Sequence, residues 1–147
     1  MQTFCKEWVY TMVSHRRKIG KRGVAVALFV ENCIHFKPRP DLDDIGLNSF
    51  VSIFIEIKNR KKQGMVIVTI SRPPDNDINL FNASFDLLLT KFNREETKYI
   101  LAGDYNIIFL HYDKHSETNQ FLNHVFSNSC FPAQSGGEQG LVQQPLL

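Results

Sequence analysis

The chain of 147 residues has little of what several protein classes require. Three cysteines, six prolines and eight glycines exclude a disulfide-rich scaffold and a collagen-like or low-complexity chain. The longest unbroken apolar run, Val24–Val30, is far shorter than the roughly 18 residues that a membrane-spanning helix needs. Lys6 and Glu7 fall where a signal peptide would be apolar. We therefore expect an intracellular protein, nuclear or cytoplasmic, without a membrane segment or a secretory signal.

What the chain does contain is the composition of an ordinary globular domain. Hydrophobic residues make up 43% and charged residues 22% of it, so one packed core is expected. The cysteines, Cys5, Cys33 and Cys130, form no CxxC pair, which favours structural thiols in a reducing compartment over a metal site.

Positive charge is concentrated in the first part of the chain. Residues 1–62 hold 12 Lys and Arg against 6 Asp and Glu, whereas residues 63–147 hold 5 against 9. Two basic clusters, residues 16–22 and 58–62, fall where we predict turns between strands, and basic loops at sheet ends can bind a phosphate backbone. Solvated turns are the alternative. The candidate nucleic-acid-binding residues are Arg16, Arg17, Lys18, Lys61 and Lys62.

The order of apolar segments predicts a mixed α+β chain. Val24–Val30 is almost continuously apolar, which is typical of a central strand covered on both faces. Residues 50–57 and 65–70 predict a β-hairpin, and residues 34–36 a short strand before it. Pro73 and Pro74 then end the second hairpin strand.

Two helices and one further strand are predicted after the double proline. Phe81, Phe85, Leu88 and Phe92 form one apolar helical stripe, and Asp77 or Asn79 is available as its N-cap. Residues 99–102 predict a buried strand that delivers Gly-Asp-Tyr-Asn at its end, and a second helix is predicted to begin near residue 116. Residues 133–147 lack periodicity and predict an unstructured tail.

The ordered blocks KRGVAVALFVEN, SRPPDNDINLFN, ILAGDYNI and YDKHSETNQFLNHVFSNSCFP resemble the endonuclease/exonuclease/phosphatase domain of non-LTR retrotransposon polyproteins. The most specific elements are Arg-Pro-Pro at residues 72–74 and Gly-Asp-Tyr-Asn some thirty residues later. The resemblance covers residues 10–132. It divides the chain into an extension (1–9), a truncated domain (10–132) and a disordered tail (133–147).

This resemblance implies a partial four-layered αββα sandwich, DNase-like, that hydrolyses phosphodiesters with Mg²⁺ and nicks target DNA. DNA is the implied partner, and no small-molecule cofactor is expected. Asp104 would bind the metal and activate water, and Asn106 would hydrogen-bond the phosphate. Arg72 and Ser71 are further phosphate-binding candidates; Ser71 stands where the family usually has Tyr.

The chain also departs from the family pattern. The family's metal-binding Glu has no counterpart in this sequence, and no Asp or His follows Pro132 to form the terminal Asp-His pair. Since catalytic groups that act together lose most of the rate when one is removed, we expect a weak or inactive enzyme. The alternative is a non-catalytic nucleic-acid-binding remnant that uses the basic clusters. The sequence leaves the oligomeric state open.

A second constellation, His111-x-Asp113-x-His115, has residue types that can ligate zinc. Because it falls in the loop that leads into the second predicted helix, we interpret it as turn and capping residues.

Overall fold

The structure, a computed structural model, describes residues 10–19, 22–106, 116–127, 130–135 and 138–143. Within these ranges the elements follow one another as β1 (Tyr10–Ile19), β2 (Arg22–Glu31), β3 (Phe36–Pro38), a 3₁₀ turn (Pro40–Leu42), β4 (Val51–Lys58), β5 (Gly64–Ser71), α1 (Ile78–Arg94), β6 (Tyr99–Asp104), α2 (Ser116–Ser127), β7 (Cys130–Ser135) and β8 (Glu138–Gln143). Among the described residues no helix is long and apolar enough to cross a membrane.

The strands form two sheets. β1 and β2 pair as an antiparallel two-stranded sheet, and the remaining strands form a six-stranded sheet in the order β3-β4-β5-β6-β8-β7. Within the larger sheet only the β5–β6 pair is parallel, because α1 carries the chain back between them. The carboxyl ends of β5 and β6 therefore meet at one edge of the sheet.

One face of the six-stranded sheet packs against the two-stranded sheet. Val30 of β2 is buried against Ile53 and Ile55 of β4, and Val26 and Leu28 pack beside them. These apolar side chains alternate along each strand with residues that point the other way, as a sheet covered on one face requires. The contact makes a two-sheet sandwich.

The opposite face of the six-stranded sheet packs against both helices. The apolar stripe of α1 is buried on this face, and Phe81, Phe85 and Phe121 form an aromatic cluster with Tyr105, with ring centroids 5.1 Å apart for Phe85 and Phe121. Asp77 caps α1 by accepting a hydrogen bond from the Asn79 amide at 2.8 Å. The predicted hairpin, both helices and the α+β class are confirmed, with three layers in the described part.

The prediction that residues 24–30 form a central strand covered on both faces is wrong. Among the described strands β2 pairs with β1 alone, and its outward side chains remain in solvent, with Phe29 63% and its cross-strand partner Met12 58% exposed. The continuous apolar run misled because Ala25, Ala27 and Phe29 are apolar residues on a solvent-facing side.

The first basic cluster is not confined to a turn as predicted, since Arg16, Arg17 and Lys18 lie within β1. The strand was missed because its inward-facing positions include His15 and Arg17, which hide the alternation of apolar and polar residues. The second cluster follows the prediction, with Lys61 and Lys62 in the turn between β4 and β5.

Two further differences concern the loop before β4 and the end of the chain. The short strand predicted at residues 34–36 is instead β3, two residues later. Part of the predicted unstructured tail is paired: β7 and β8 form an antiparallel hairpin, and β8 adds to the edge of β6. Backbone pairing, which needs no apolar periodicity, explains why composition did not indicate these strands. The predicted extension at residues 1–9 lies outside the described residues.

Gly103 is required where β6 passes β5. Its φ is +145°, and a Cβ atom at this position would lie 1.8 Å from the Ile70 carbonyl oxygen. No side chain fits there, and residues other than glycine rarely adopt that backbone conformation.

We predict that Gly103→Ala lowers the free energy of unfolding by about 2–4 kcal/mol, because both the clash and the backbone strain must be relieved by moving β5. Denaturant unfolding measures this change. Gly23→Ala is the matched control: a Cβ at Gly23 meets no atom within 4 Å, so its effect should stay within about 0.5 kcal/mol. Equal effects of the two substitutions would contradict the requirement for glycine at position 103.

Candidate functional site

Two of the predicted site residues meet at the carboxyl ends of the parallel strands. Ser71 ends β5 and Asp104 ends β6, and the two residues are direct partners in the strand register. Both lie on the same face of the six-stranded sheet as Ile67 and Ile100. Farther along β4 and β5, the two-stranded sheet covers this face. Asp104 is exposed and Ser71 is half-buried. The site therefore opens to solvent at the end of the sandwich.

The chain turns sharply after Asp104. The Asp104 Oδ1 atom accepts a hydrogen bond from the Asn106 amide at 3.0 Å, which closes an Asx-turn. Asn106 adopts a left-handed backbone conformation with φ of +50°, a conformation that Asn tolerates better than most residues. Between them Tyr105 is completely buried among the aromatic rings of the helix layer. The buried Tyr105 ring and the Asx-turn together place the Asp104 carboxylate beside the Asn106 backbone amide.

Arg72, expected to bind phosphate, lies beneath this turn. Its side chain is only 4% exposed, and its guanidinium donates to three backbone carbonyl oxygens. Nε bonds to Tyr105 at 2.7 Å, one Nη to Asn106 at 2.7 Å, and the other Nη to Asn76 at 2.8 Å. The planar fork of an arginine suits such a set of acceptors.

Asn106 and Arg72 also bind one another in the reverse direction. The Asn106 side-chain Nδ2 donates to the Arg72 carbonyl oxygen, and the Arg72 amide donates to the Asp104 carbonyl oxygen at 2.9 Å. Asp104, Asn106 and Arg72 are thus joined by backbone and side-chain hydrogen bonds in both directions. The arrangement satisfies the backbone polar groups that lie beside the buried Arg72 side chain.

Burial and the nearby Asp104 carboxylate both act on the charge of Arg72. Burial lowers the pKa of Arg72, while the negative charge of Asp104 acts in the opposite direction and favours the protonated guanidinium. The Phe81 ring lies below the guanidinium, 5.7 Å from ring centroid to Cζ, and adds a cation–π contact. A positive charge is therefore held directly under the candidate site.

Asn76 was not identified from the sequence as part of this region. Its side-chain Nδ2 donates to the Ser49 carbonyl at 2.7 Å and to the Asn48 carbonyl at 3.3 Å, so it joins the loop after β5 to the segment before β4. The only signal in the sequence was its place in a Pro-Pro-Asp-Asn turn, where a side-chain amide commonly bonds to nearby backbone.

The candidate basic residues do not form one surface. His15 and Arg17 of β1 bond to the Ser52 and Phe50 carbonyls, so the turn end of the β1–β2 hairpin lies beside the start of β4. Lys61 and Lys62 lie beyond the other end of β4, a strand of eight residues, which puts the two clusters roughly 25 Å apart.

Within the first cluster the side chains divide between two faces. Arg17 points inward, where its guanidinium donates to the Phe50 and Asp43 carbonyls at 3.4 and 3.2 Å. Arg16 and Lys18 are exposed on the outward face of β1. The cluster thus offers two exposed positive charges at the end of the sandwich where Asp104 lies.

The donor set for a metal is small in the described part of the chain. No group of three or more His, Cys, Asp and Glu residues is close enough there to hold an ion. Asp104 provides a carboxylate, the hard oxygen ligand that Mg²⁺ prefers, with Oδ1 also bonded to the Asn106 amide. The His-x-Asp-x-His residues at 111–115 lie outside the described residues.

Comparisons with known proteins bear on the fold. No protein-family model matches the chain, and no curated protein matches it. The endonuclease domain of TRAS1, a telomere-specific non-LTR retrotransposon, superposes with a TM-score of 0.64 and 11% identity over 90% of this chain and 67% of that chain. The human Nocturnin catalytic domain with bound sulfate anion gives 0.59 and 13% over 92% of this chain and 61% of that chain.

The chain has a DNase-like α+β fold. The two neighbours share the endonuclease/exonuclease/phosphatase architecture, and the described layers form a partial sandwich of that type. The predicted fold class is therefore confirmed.

The Asx-turn predicts that charge and hydrogen bonding at position 104 can be separated. Asp104→Asn loses the charge that favours the Arg72 guanidinium but retains an oxygen that accepts from the Asn106 amide, so it should lower the free energy of unfolding by less than Asp104→Ala does. Asp104→Ala removes that acceptor and should cost about 0.5–1.5 kcal/mol. Denaturant unfolding of both variants checks this, and an Asn variant as unstable as the Ala variant would contradict the Asx-turn.

Proposed function

We propose that the chain is an endonuclease-like domain of the non-LTR retrotransposon type, which binds DNA phosphodiesters at the carboxyl ends of β5 and β6 and hydrolyses them weakly. The observation that supports this most is the grouping of Ser71, Asp104 and Asn106 at one open sheet edge in a DNase-like fold. Carboxylate, amide and hydroxyl groups at such an edge are suited to bind a phosphate and to activate water.

Each of the three side chains would have a separate role in hydrolysis. The exposed Asp104 carboxylate accepts a proton from the attacking water. The Asn106 side-chain amide has two hydrogens, of which one is used on the Arg72 carbonyl, so the other can donate to a phosphate oxygen. The Ser71 hydroxyl, one strand away in register with Asp104, can donate to a second phosphate oxygen.

Mg²⁺ is the metal that this donor set would accept. Proteins commonly hold it through one or two carboxylates, with water and substrate phosphate completing the octahedron, and Asp104 would provide the carboxylate. The ion supplies charge neutralisation at the phosphate.

Hydrolysis is expected to be weak because few catalytic groups accompany Asp104. Asp104 is one carboxylate, and a rigid Mg²⁺ site gains from a second. Ser71, Asp104 and Asn106 include no second carboxylic acid and no imidazole that could protonate the leaving oxygen. Groups that act as a unit lose most of their effect when one is missing.

Supercoiled-plasmid nicking tests the proposal. We expect Mg²⁺-dependent nicking that is detectable only with protein in excess over plasmid, that stops when EDTA removes the metal, and that is lost in Asp104→Asn. Asp44→Asn, which removes an exposed carboxylate outside the site, should nick like the original chain. Nicking that persists in EDTA or in Asp104→Asn would overturn the assignment of the site.

The second candidate, a nucleic-acid-binding remnant without hydrolysis, is favoured by the exposed basic side chains at both ends of the sandwich. It predicts DNA binding without nicking and without dependence on Asp104. The salt dependence of binding shows which end contacts the phosphates, because log K falls as log salt rises and each lost phosphate contact reduces the steepness of this fall, hereafter the salt slope, by about 0.9.

We expect the slope to fall when Arg16 and Lys18 are both changed to Gln, since these charges lie at the Asp104 end. The matched pair Lys61→Gln and Lys62→Gln, at the opposite end, should leave it unchanged. A fall confined to the second pair would place DNA away from Asp104 and would contradict the proposed site.

A further inference from the structure

We propose that Arg72 is a positioning residue that holds Asp104 and Asn106 in their working orientation and does not itself bind the phosphate. The inference rests on the proposed function only for the identity of the groups being positioned. Its geometric basis is the set of contacts that Arg72 makes in the chain.

The guanidinium is directed at the backbone of the chain. Arg72 is 4% exposed, and its guanidinium donates to the carbonyls of Tyr105, Asn106 and Asn76 at 2.7–2.8 Å. The Phe81 ring lies on another side of it, 5.7 Å from ring centroid to Cζ. With 4% exposure, the Arg72 side chain offers little access to a phosphate at the open end of the sandwich.

The same contacts determine where the polar side chains of the site point. Asn106 has a left-handed backbone, and its carbonyl and side-chain amide are bonded to the side chain and the carbonyl of Arg72 respectively. The Arg72 amide fixes the Asp104 carbonyl, and the Asp104 side chain then accepts from the Asn106 amide. Without the guanidinium, the adjacent carbonyls of Tyr105 and Asn106 lose their donor, and the bond to Tyr105 is buried.

Arg72 also extends this positioning to a third segment. The Asn76 carbonyl accepts from Arg72, while the Asn76 side chain donates to the Ser49 carbonyl before β4. The turn after β6, the loop after β5 and the start of β4 are thereby joined through one side chain. Lysine keeps the charge but has a single nitrogen, so it cannot bond to three separated carbonyls with the geometry of the planar fork.

Amide hydrogen exchange in the ligand-free chain tests the inference directly. In Arg72→Lys we expect exchange at Asp104, Tyr105 and Asn106 to accelerate at least about tenfold more than at the core amides of Val68 and Leu101. Arg60→Lys, in the exposed turn between β4 and β5, is the matched control and should change none of these rates.

A uniform acceleration across the chain would show a purely structural role and overturn the inference, as would unchanged rates at residues 104–106. If Arg72→Lys does not fold, Asn106→Gly decides: it accepts the left-handed backbone and removes only the side-chain bond to the Arg72 carbonyl. It should accelerate exchange at Arg72, Tyr105 and residue 106 without affecting Val68. No local acceleration in Asn106→Gly would overturn the inference.

A DNA titration separates positioning from phosphate binding. With a short duplex as the probe, Arg72→Gln should weaken binding at least about tenfold while the steepness of the salt dependence stays unchanged. If Arg72 bound a phosphate directly, the magnitude of the salt slope would decrease by about 0.9, and this result would overturn the inference. If the original chain binds no duplex, the proposed function fails, and the exchange rates still decide whether Arg72 positions the turn.

Discussion

A buried guanidinium is the interaction on which the rest of the candidate site depends. Arg72 is almost without solvent contact, and each of its three guanidinium nitrogens donates to a backbone carbonyl, in the turn after β6 or the loop after β5. Because burying a charge is costly unless it is well compensated, the backbone around it has little freedom. The turn that carries Asp104 and Asn106 is therefore held in one conformation. A site that binds a phosphate in one orientation requires such fixed side chains.

The sheet arrangement explains why this interaction occurs where it does. The crossover through α1 makes β5 and β6 parallel, so their carboxyl ends place Asp104 beside Ser71 and Arg72, although more than thirty positions separate it from them in sequence. Gly103 allows the close approach of the two strands at that point. The basic residues are arranged differently, since the two clusters lie at opposite ends of β4 and only the first is near Asp104.

The sequence predicted those parts whose residue pattern reflects burial directly. The α1 stripe, the β4–β5 hairpin and the strand before Gly-Asp-Tyr-Asn were all indicated by apolar periodicity and by the double proline. β1 was not, because His15 and Arg17 face inward and bond to the carbonyls of β4. The sequence of β2 predicts a central strand because alanines and Phe29 make its exposed side apolar. The structural role of Arg72 could not be predicted, since a basic residue before two prolines does not show whether its partners are phosphates or carbonyls.

The measurement that tests the central claim most directly is paramagnetic line broadening. Mn²⁺ in place of Mg²⁺ would be titrated into the isotope-labelled chain together with a short DNA duplex, and the loss of amide signals followed residue by residue. The account predicts that the amides of Ser71, Asp104 and Asn106 lose intensity first, while those of the turn at residues 59–63 are retained. Equal loss at both ends of the sandwich, or loss that begins at the turn, would contradict a metal and phosphate site organised by Arg72.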